Sequence, residues 1–258
     1  MAWWGTFIGG TLGYVFGGPL GAIIGAALGG NLDRGIKMSE QFDPGHFAPG
    51  DQERVQAAFF TATFSVMGHI AKADGRVSRQ EIASARNIMN QMQLNESQRQ
   101  AAIGLFDQGK AADFPLAEVL HQFKKECHGR RNLIQMFVEI QIATALSDGR
   151  VDASEKRILY TIGDILGFSR AQIDHLFNIV SGAEASNTDK LTLTQAYKIL
   201  GVEKGSTLAQ VKKAYRRLMS QHHPDKLVAK GLPDEMIQLA TEKTQEIRKA
   251  YDLVKKSL

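Results

Sequence analysis

The chain of 258 residues is 43% hydrophobic and 22% charged, and Cys127 is its single cysteine. An intramolecular disulfide is therefore excluded, and a cysteine-based zinc site is strongly disfavoured. The net charge of +4 hides a segregation: residues 190–258 carry +7 and residues 1–189 carry −3.

From Met1 to Leu32 there is no Asp, Glu, Lys, Arg or His, and the first charge is Asp33. An uncharged apolar stretch of this length reads as a membrane span. A signal peptide would carry a basic leader and an A-x-A-like cleavage site, and neither is present. Trp3 and Trp4 stand where an interfacial aromatic anchor would lie. Glycine recurs every four residues at Gly5, Gly9, Gly13, Gly17, Gly21, Gly25 and Gly29. Small residues at this spacing let two helix backbones approach closely in a bilayer, so homodimerisation through Gly9, Gly13, Gly17 and Gly21 is expected. As one helix the stretch from Trp3 would run about 45 Å against about 30 Å of hydrocarbon. Gly17-Gly18-Pro19 is a natural kink, so a tilted or kinked span is expected. Arg34 and Lys37 follow the span and no basic residue precedes it, which places the bulk of the chain on the cytoplasmic side.

Residues 33–54 read as a juxtamembrane linker, with two prolines and two glycines between 39 and 51. From Glu53 the pattern turns helical: Val55, Phe59, Phe64, Met67 and Ile70 recur at helical spacing. Similar stripes run through Ile82–Met92, Leu116–Phe123, Leu133–Leu146, Ile158–Leu166 and Ile173–Val180. No run keeps the alternation of a strand, so the fold class is all-α. Within this region Ala73-Asp74-Gly75-Arg76-Val77-Ser78, with Glu81, is echoed 74 residues later by Ser147-Asp148-Gly149-Arg150-Val151-Asp152, with Glu155. The local physics predicts an Asp-Gly turn with positive φ at glycine, then a capping box from Ser78 or Asp152 to the glutamate three residues on. Val77 and Val151 are expected to turn inward. The rival reading makes Asp74, Glu81, Asp148 and Glu155 metal ligands, although the spacing of a calcium-binding EF-hand loop is lacking. Gly104 to Lys110 imitates the start of a phosphate-binding loop, but Ala111 replaces the required Ser/Thr and no strand precedes it. His121 and His128 read as helix-surface groups. Residues 55–182, with their duplicated turn in an all-helical block, resemble the TerB-like domain of tellurite-resistance proteins.

Residues 183–192 read as a polar linker, and residues 193–258 as a compact helical module. Thr194 is expected to cap a short helix ending at Gly201, and Thr207 a second helix. In the second helix Val211, Ala214, Tyr215 and Leu218 form an apolar stripe, while Lys212, Lys213, Arg216 and Arg217 form a basic face. Proline disfavours helical geometry at the residue before it, so the helix is expected to end at His223, with His223-Pro224-Asp225 in an exposed loop. A third helix from about Pro233 would bury Leu239, Ile247, Ala250, Tyr251 and Val254. Tyr215 is the only aromatic on the basic helix and belongs to its apolar stripe, so nucleic acid is not an expected partner.

The order Tyr197, Leu200-Gly201-Val202, Val211, Lys213-Ala214-Tyr215-Arg216, Leu218, His223-Pro224-Asp225-Lys226, Ile247 and Ala250-Tyr251 resembles a J-domain. The resemblance implies a partner, a DnaK-type chaperone whose ATP hydrolysis the J-domain stimulates. It implies that Lys212, Lys213, Arg216 and Arg217, with Lys226, dock on an acidic chaperone surface while His223, Pro224 and Asp225 transmit the signal. ATP would belong to that partner, so this chain is expected to be neither an enzyme nor the holder of a cofactor. An N-terminal span, a TerB-like middle and a terminal J-domain together resemble the membrane-anchored DnaJ-like co-chaperones of bacterial inner membranes. The alternative is a metal- or stress-sensing membrane protein that uses the J-domain as its output.

Overall fold

The computed structural model describes residues 18–23, 51–147, 149–184, 191–233 and 236–258. Trp3, Trp4, Gly9, Gly13, Gly17, Arg34, Lys37 and Asp148 lie outside the described residues. Every regular element described is helical, and none of the described helices is long and apolar enough to cross a membrane. Two compact units divide the chain, Met1–Gly129 and Arg130–Leu258.

The first unit comprises α1 (residues 18–23), α2 (Asp51–Ala71), α3 (Arg79–Gln91), α4 (Glu96–Gly109) and α5 (Leu116–Glu126). Its centre is α2, whose Phe59, Ala62, Phe64, Val66 and Met67 are buried together with Thr61, Thr63 and Ser65. Burial on every side requires polar groups to find partners inside the helix, and the Ser65 hydroxyl donates to the Thr61 carbonyl at 2.7 Å. Against α2 lies α4, so close that backbones touch. A Cβ at Gly68 would fall 2.0 Å from the Phe106 carbonyl oxygen, and one at Gly109 would fall 1.8 Å from that of Ser65. Gly109, which the sequence set in an apparent phosphate loop, is thus the last residue of a helix and a contact point between helices. On another side α5 meets α2 through an edge-on Phe59–Phe123 pair at 5.9 Å and an Arg54–Glu126 ion pair at 2.8 Å. In α1, Leu20 and Ile23 are buried, and the Leu20 N–H donates to the Gln122 side-chain oxygen at 2.9 Å. Gly21 lies half-buried in α1.

The second unit comprises α6 (Arg131–Ala145), α7 (Ala153–Leu166), α8 (Arg170–Glu184), α9 (Leu193–Leu200), α10 (Leu208–His222), α11 (Pro224–Val228) and α12 (Ile237–Ser257). Helix α6 is buried nearly throughout and packs against α7 and α8. Helix α8 continues the packing to α9, and α9 and α10 lie on α12. The core of the α9–α12 module gathers Tyr197, Leu200, Val211, Leu218, Ile247 and Val254, and it also takes in Ile179 from α8. The α8–α9 contact is again set by glycine. A Cβ at Gly182 would lie 2.8 Å from Cβ of Lys198, and one at Gly201 would lie 2.6 Å from the His175 ring.

Both duplicated turns form as their residues dictate. Gly75 and Gly149 have φ of +90° and +85°, and Ser78/Glu81 and Asp152/Glu155 make complete capping boxes. Val77 and Val151 are only half-buried, and Ile82, expected inside, is exposed. The cap of α9 is Thr192 rather than Thr194, because Thr192 places Gln195 three residues on to complete the box. The last helix begins at Ile237 rather than Pro233, whose carbonyl instead closes a turn with the Met236 N–H at 2.9 Å. Leu239 is accordingly half-buried, and Ala240 occupies the core.

Substitution of Gly109 by alanine is expected to cost about 1–3 kcal/mol, because the added methyl overlaps backbone that cannot rotate aside. Urea unfolding followed by circular dichroism checks this. Gly75→Asn, in open space at a φ that asparagine tolerates, should leave the midpoint nearly unchanged.

Candidate chaperone-docking site

Helix α10 has two faces with opposite tasks. Val211, Ala214 and Leu218 are buried toward α12, and Tyr215 stacks on Tyr251 with ring centroids 4.2 Å apart. Lys212, Lys213, Arg216 and Arg217 are all exposed. Like charges at i, i+4 repel by a few tenths of a kcal/mol per pair, so the buried stripe must hold the helix against its own basic face. The Thr207/Gln210 capping box secures the other end of the helix.

At His222 the helix stops. His223 is extended, with φ −61° and ψ 123°, as the following proline requires. The expected exposed loop is corrected here, since Pro224 and Asp225 open the short helix α11. Proline suits the first helical position because its missing N–H needs no partner there, and a carboxylate in the first turn is favoured by the helix dipole. Leu227 is fully buried and pins α11, while Lys226 donates to the Ser220 hydroxyl at 2.8 Å and ties α11 back to α10. The consequence is a defined presentation: the Asp225 side chain is 91% exposed, that of His223 is 45% exposed, and His223 Nδ1 lies 3.9 Å from an Asp225 oxygen. One element therefore carries the four exposed cations and, about 10 Å farther along its axis from Arg216, leads into the His-Pro-Asp segment.

Sequence reasoning missed His222. It is buried, and its Nε2 lies 3.5 Å from Oε1 of Glu139 on α6 without a hydrogen-bond partner. Burial is the main cause that holds the imidazole below its usual titration range, Lys243 adding to this while Glu139 and Glu246 oppose it. Gln135, one turn before Glu139, donates to the same carboxylate oxygen at 2.8 Å and accepts from the Gln221 amide at 3.3 Å. Two signals in the sequence pointed here: a second histidine beside the tripeptide, and the sole charge between Leu133 and Ser147 of an apolar helix.

Of the four candidate metal ligands, Asp148 lies outside the described residues, and the carboxylates of the other three accept from backbone N–H groups. Asp74 accepts from the Arg76 N–H, Glu81 from Ser78, Asp152 from Ser154 and Glu155, and Glu155 from Asp152. Among the described residues no three His, Cys, Asp or Glu side chains gather as a metal site. His121 and His128 are exposed on or beside α5.

Since the folded His222 titrates below its ordinary value of 6.5, the unfolded chain binds a proton first as pH falls. The stabilisation from the neutral imidazole is complete above about pH 6.5 and is lost as pH drops toward the folded value. Hydrogen exchange of α10 and α12 amides, corrected for intrinsic chemistry, should reveal easier opening between about pH 7 and pH 5. His222→Gln should remove part of this dependence. His175, which is lowered by burial and by Arg217, contributes in the same direction.

Comparison with known proteins agrees with this geometry. Three family profiles match the chain: the co-chaperone DjlA transmembrane domain over residues 1–41, the tellurite resistance protein TerB over residues 60–177, and the DnaJ domain over residues 195–257. A protein of Shewanella oneidensis named co-chaperone protein DjlA is 47% identical over 210 residues, covering 80% of each chain. Proteins of the same name from Yersinia pestis and Coxiella burnetii are 39% and 42% identical, each over 99% of this chain and 98% of their own. No solved structure matches significantly. With an N-terminal membrane domain, a TerB-like bundle and a C-terminal J-domain, aligned to the Yersinia and Coxiella relatives along nearly their full length, the chain belongs to the DjlA co-chaperone family.

Proposed function

We propose that this co-chaperone docks on a DnaK-type chaperone and stimulates its ATP hydrolysis at the cytoplasmic face of the bacterial inner membrane. The observation that carries this reading is the exposed cation row on α10 leading into a half-exposed His223 and an exposed Asp225. Unpaired surface cations favour fast, salt-sensitive encounter with an acidic surface and a modest affinity. Lys212, Lys213, Arg216 and Arg217 supply the encounter, and the fixed His223-Pro224-Asp225 segment supplies the signal. ATP and its metal stay with the partner. The N-terminal segment tethers the J-domain in a single pass, Arg34 and Lys37 keep the bulk of the chain cytoplasmic, and Gly9, Gly13, Gly17 and Gly21 form the face of a homodimer.

The test is the ATPase rate of a DnaK-type chaperone with the purified full chain in detergent or nanodiscs. Wild type should accelerate hydrolysis, while His223→Gln and Asp225→Asn should abolish the effect with the fold intact. Equal stimulation by all three would sink the assignment. Reversing two cations, Lys213→Glu with Arg217→Glu, should raise the half-saturating concentration by about tenfold or more, with a flatter dependence on salt.

Dimerisation has its own measurement. Gly13→Ile should weaken self-association of residues 1–41 in a membrane two-hybrid reporter, since a branched side chain keeps the backbones apart. Unchanged association would remove the glycine face from the interface.

A further inference from the structure

The end of α10 that leads into the His-Pro-Asp segment is held from outside the J-domain. Two consecutive residues there, Gln221 and His222, meet two residues one turn apart on α6, Gln135 and Glu139. The next residue is His223. The α6 pair is joined internally, Gln135 donating to Glu139 at 2.8 Å. This arrangement is costly to keep. A buried carboxylate loses its hydration, and here it is the sole charge between Leu133 and Ser147, with the His222 Nε2 buried beside it and lacking a hydrogen bond. Packing alone would be served by aliphatic residues at both places. A second attachment supports the same geometry: Ile179 of α8 completes the core of the α9–α12 module, and α8 and α9 touch at Gly182 and Gly201. The TerB-like helices α6 and α8 thus grip the J-domain at the tip of α10 and along α9.

We infer that Glu139 and Gln135 are positioning residues that set the pose of His223, Pro224 and Asp225 through His222 and Gln221, so that the TerB-like helices control how strongly the J-domain acts. The inference rests on the proposed chaperone stimulation. It assigns α6 a part in signal transmission while leaving encounter to the basic face. Glu139 faces His222 from α6, and Lys243 with Glu246 face it from α12, those two being paired to each other at 3.0 Å. The α6 carboxylate is accordingly the group whose loss most directly changes the surroundings of His222.

The experiment uses the full chain in nanodiscs, as wild type, Glu139→Gln, Glu139→Leu and Gln135→Ala, with two readouts. In ATPase titrations with a DnaK-type chaperone, Glu139→Leu should lower maximal stimulation by about three- to tenfold while the half-saturating concentration stays the same, because the cations of α10 are untouched. Gln135→Ala, a milder change that keeps the carboxylate, should lower it less. In nuclear magnetic resonance titrations, Glu139→Gln should move the His222 imidazole to a lower titration range, since a carboxylate that favours its protonation is gone, and should shift the amides of His223 and Asp225. Stimulation by wild type with equal maximal stimulation by all variants would overturn the inference alone. So would an unmoved His222 titration in Glu139→Gln. Absence of stimulation by wild type would overturn the co-chaperone reading itself, and the inference with it.

Discussion

The second unit depends on the close approach of α8 and α9. Two helices can come to backbone distance only where no Cβ intervenes, and Gly182 provides this where α8 meets the Gln195–Ile199 backbone, while Gly201 leaves room for the His175 ring and Ile179 at the other end. Between them Ile179 enters the core of the J-domain, beside Tyr197 and Leu200. Once α9 is seated, α12 packs across it and α10 lies on α12, which delivers the tip of α10 to α6. The tip of α10 therefore rests on a helix that precedes the J-domain in the chain.

The same module separates attraction from order. The outer face of α10 is four cations in water, where charge acts over a Debye length of about 8–10 Å and salt weakens it. Its inner face is apolar and insensitive to salt. The residues that end α10 belong to neither class: Gln221 and His222 are polar and turned inward toward α6. At this boundary the Gln221–Gln135 hydrogen bond limits displacement more than an aliphatic contact would.

Local features were legible because their causes are local. Ser78 with Glu81, Asp152 with Glu155, and Thr207 with Gln210 satisfy orphan amides within three residues, and proline after His223 disfavours a helical ψ there through a purely local clash. The same reasoning misplaced the α9 cap, since Thr192 and Thr194 both carry the right hydroxyl and only the position of Gln195 distinguishes them. It also missed that Pro224 and Asp225 start a helix, because the burial of Leu227 that stabilises so short an element is a tertiary fact.

By itself, the sequence determined the class of the protein: an uncharged glycine-periodic N-terminus, an all-helical middle with a repeated Asp-Gly turn, and a basic helix followed by His-Pro-Asp. Those are statements about periodicity, charge and capping, which neighbouring residues decide among themselves. Only the tertiary structure decided that Gly68 and Gly109 are contact points between helices, that Ile179 belongs to the J-domain core, and that Glu139 meets His222. These pairs lie far apart in the chain, and no spacing rule predicts a meeting set by how several helices share one core.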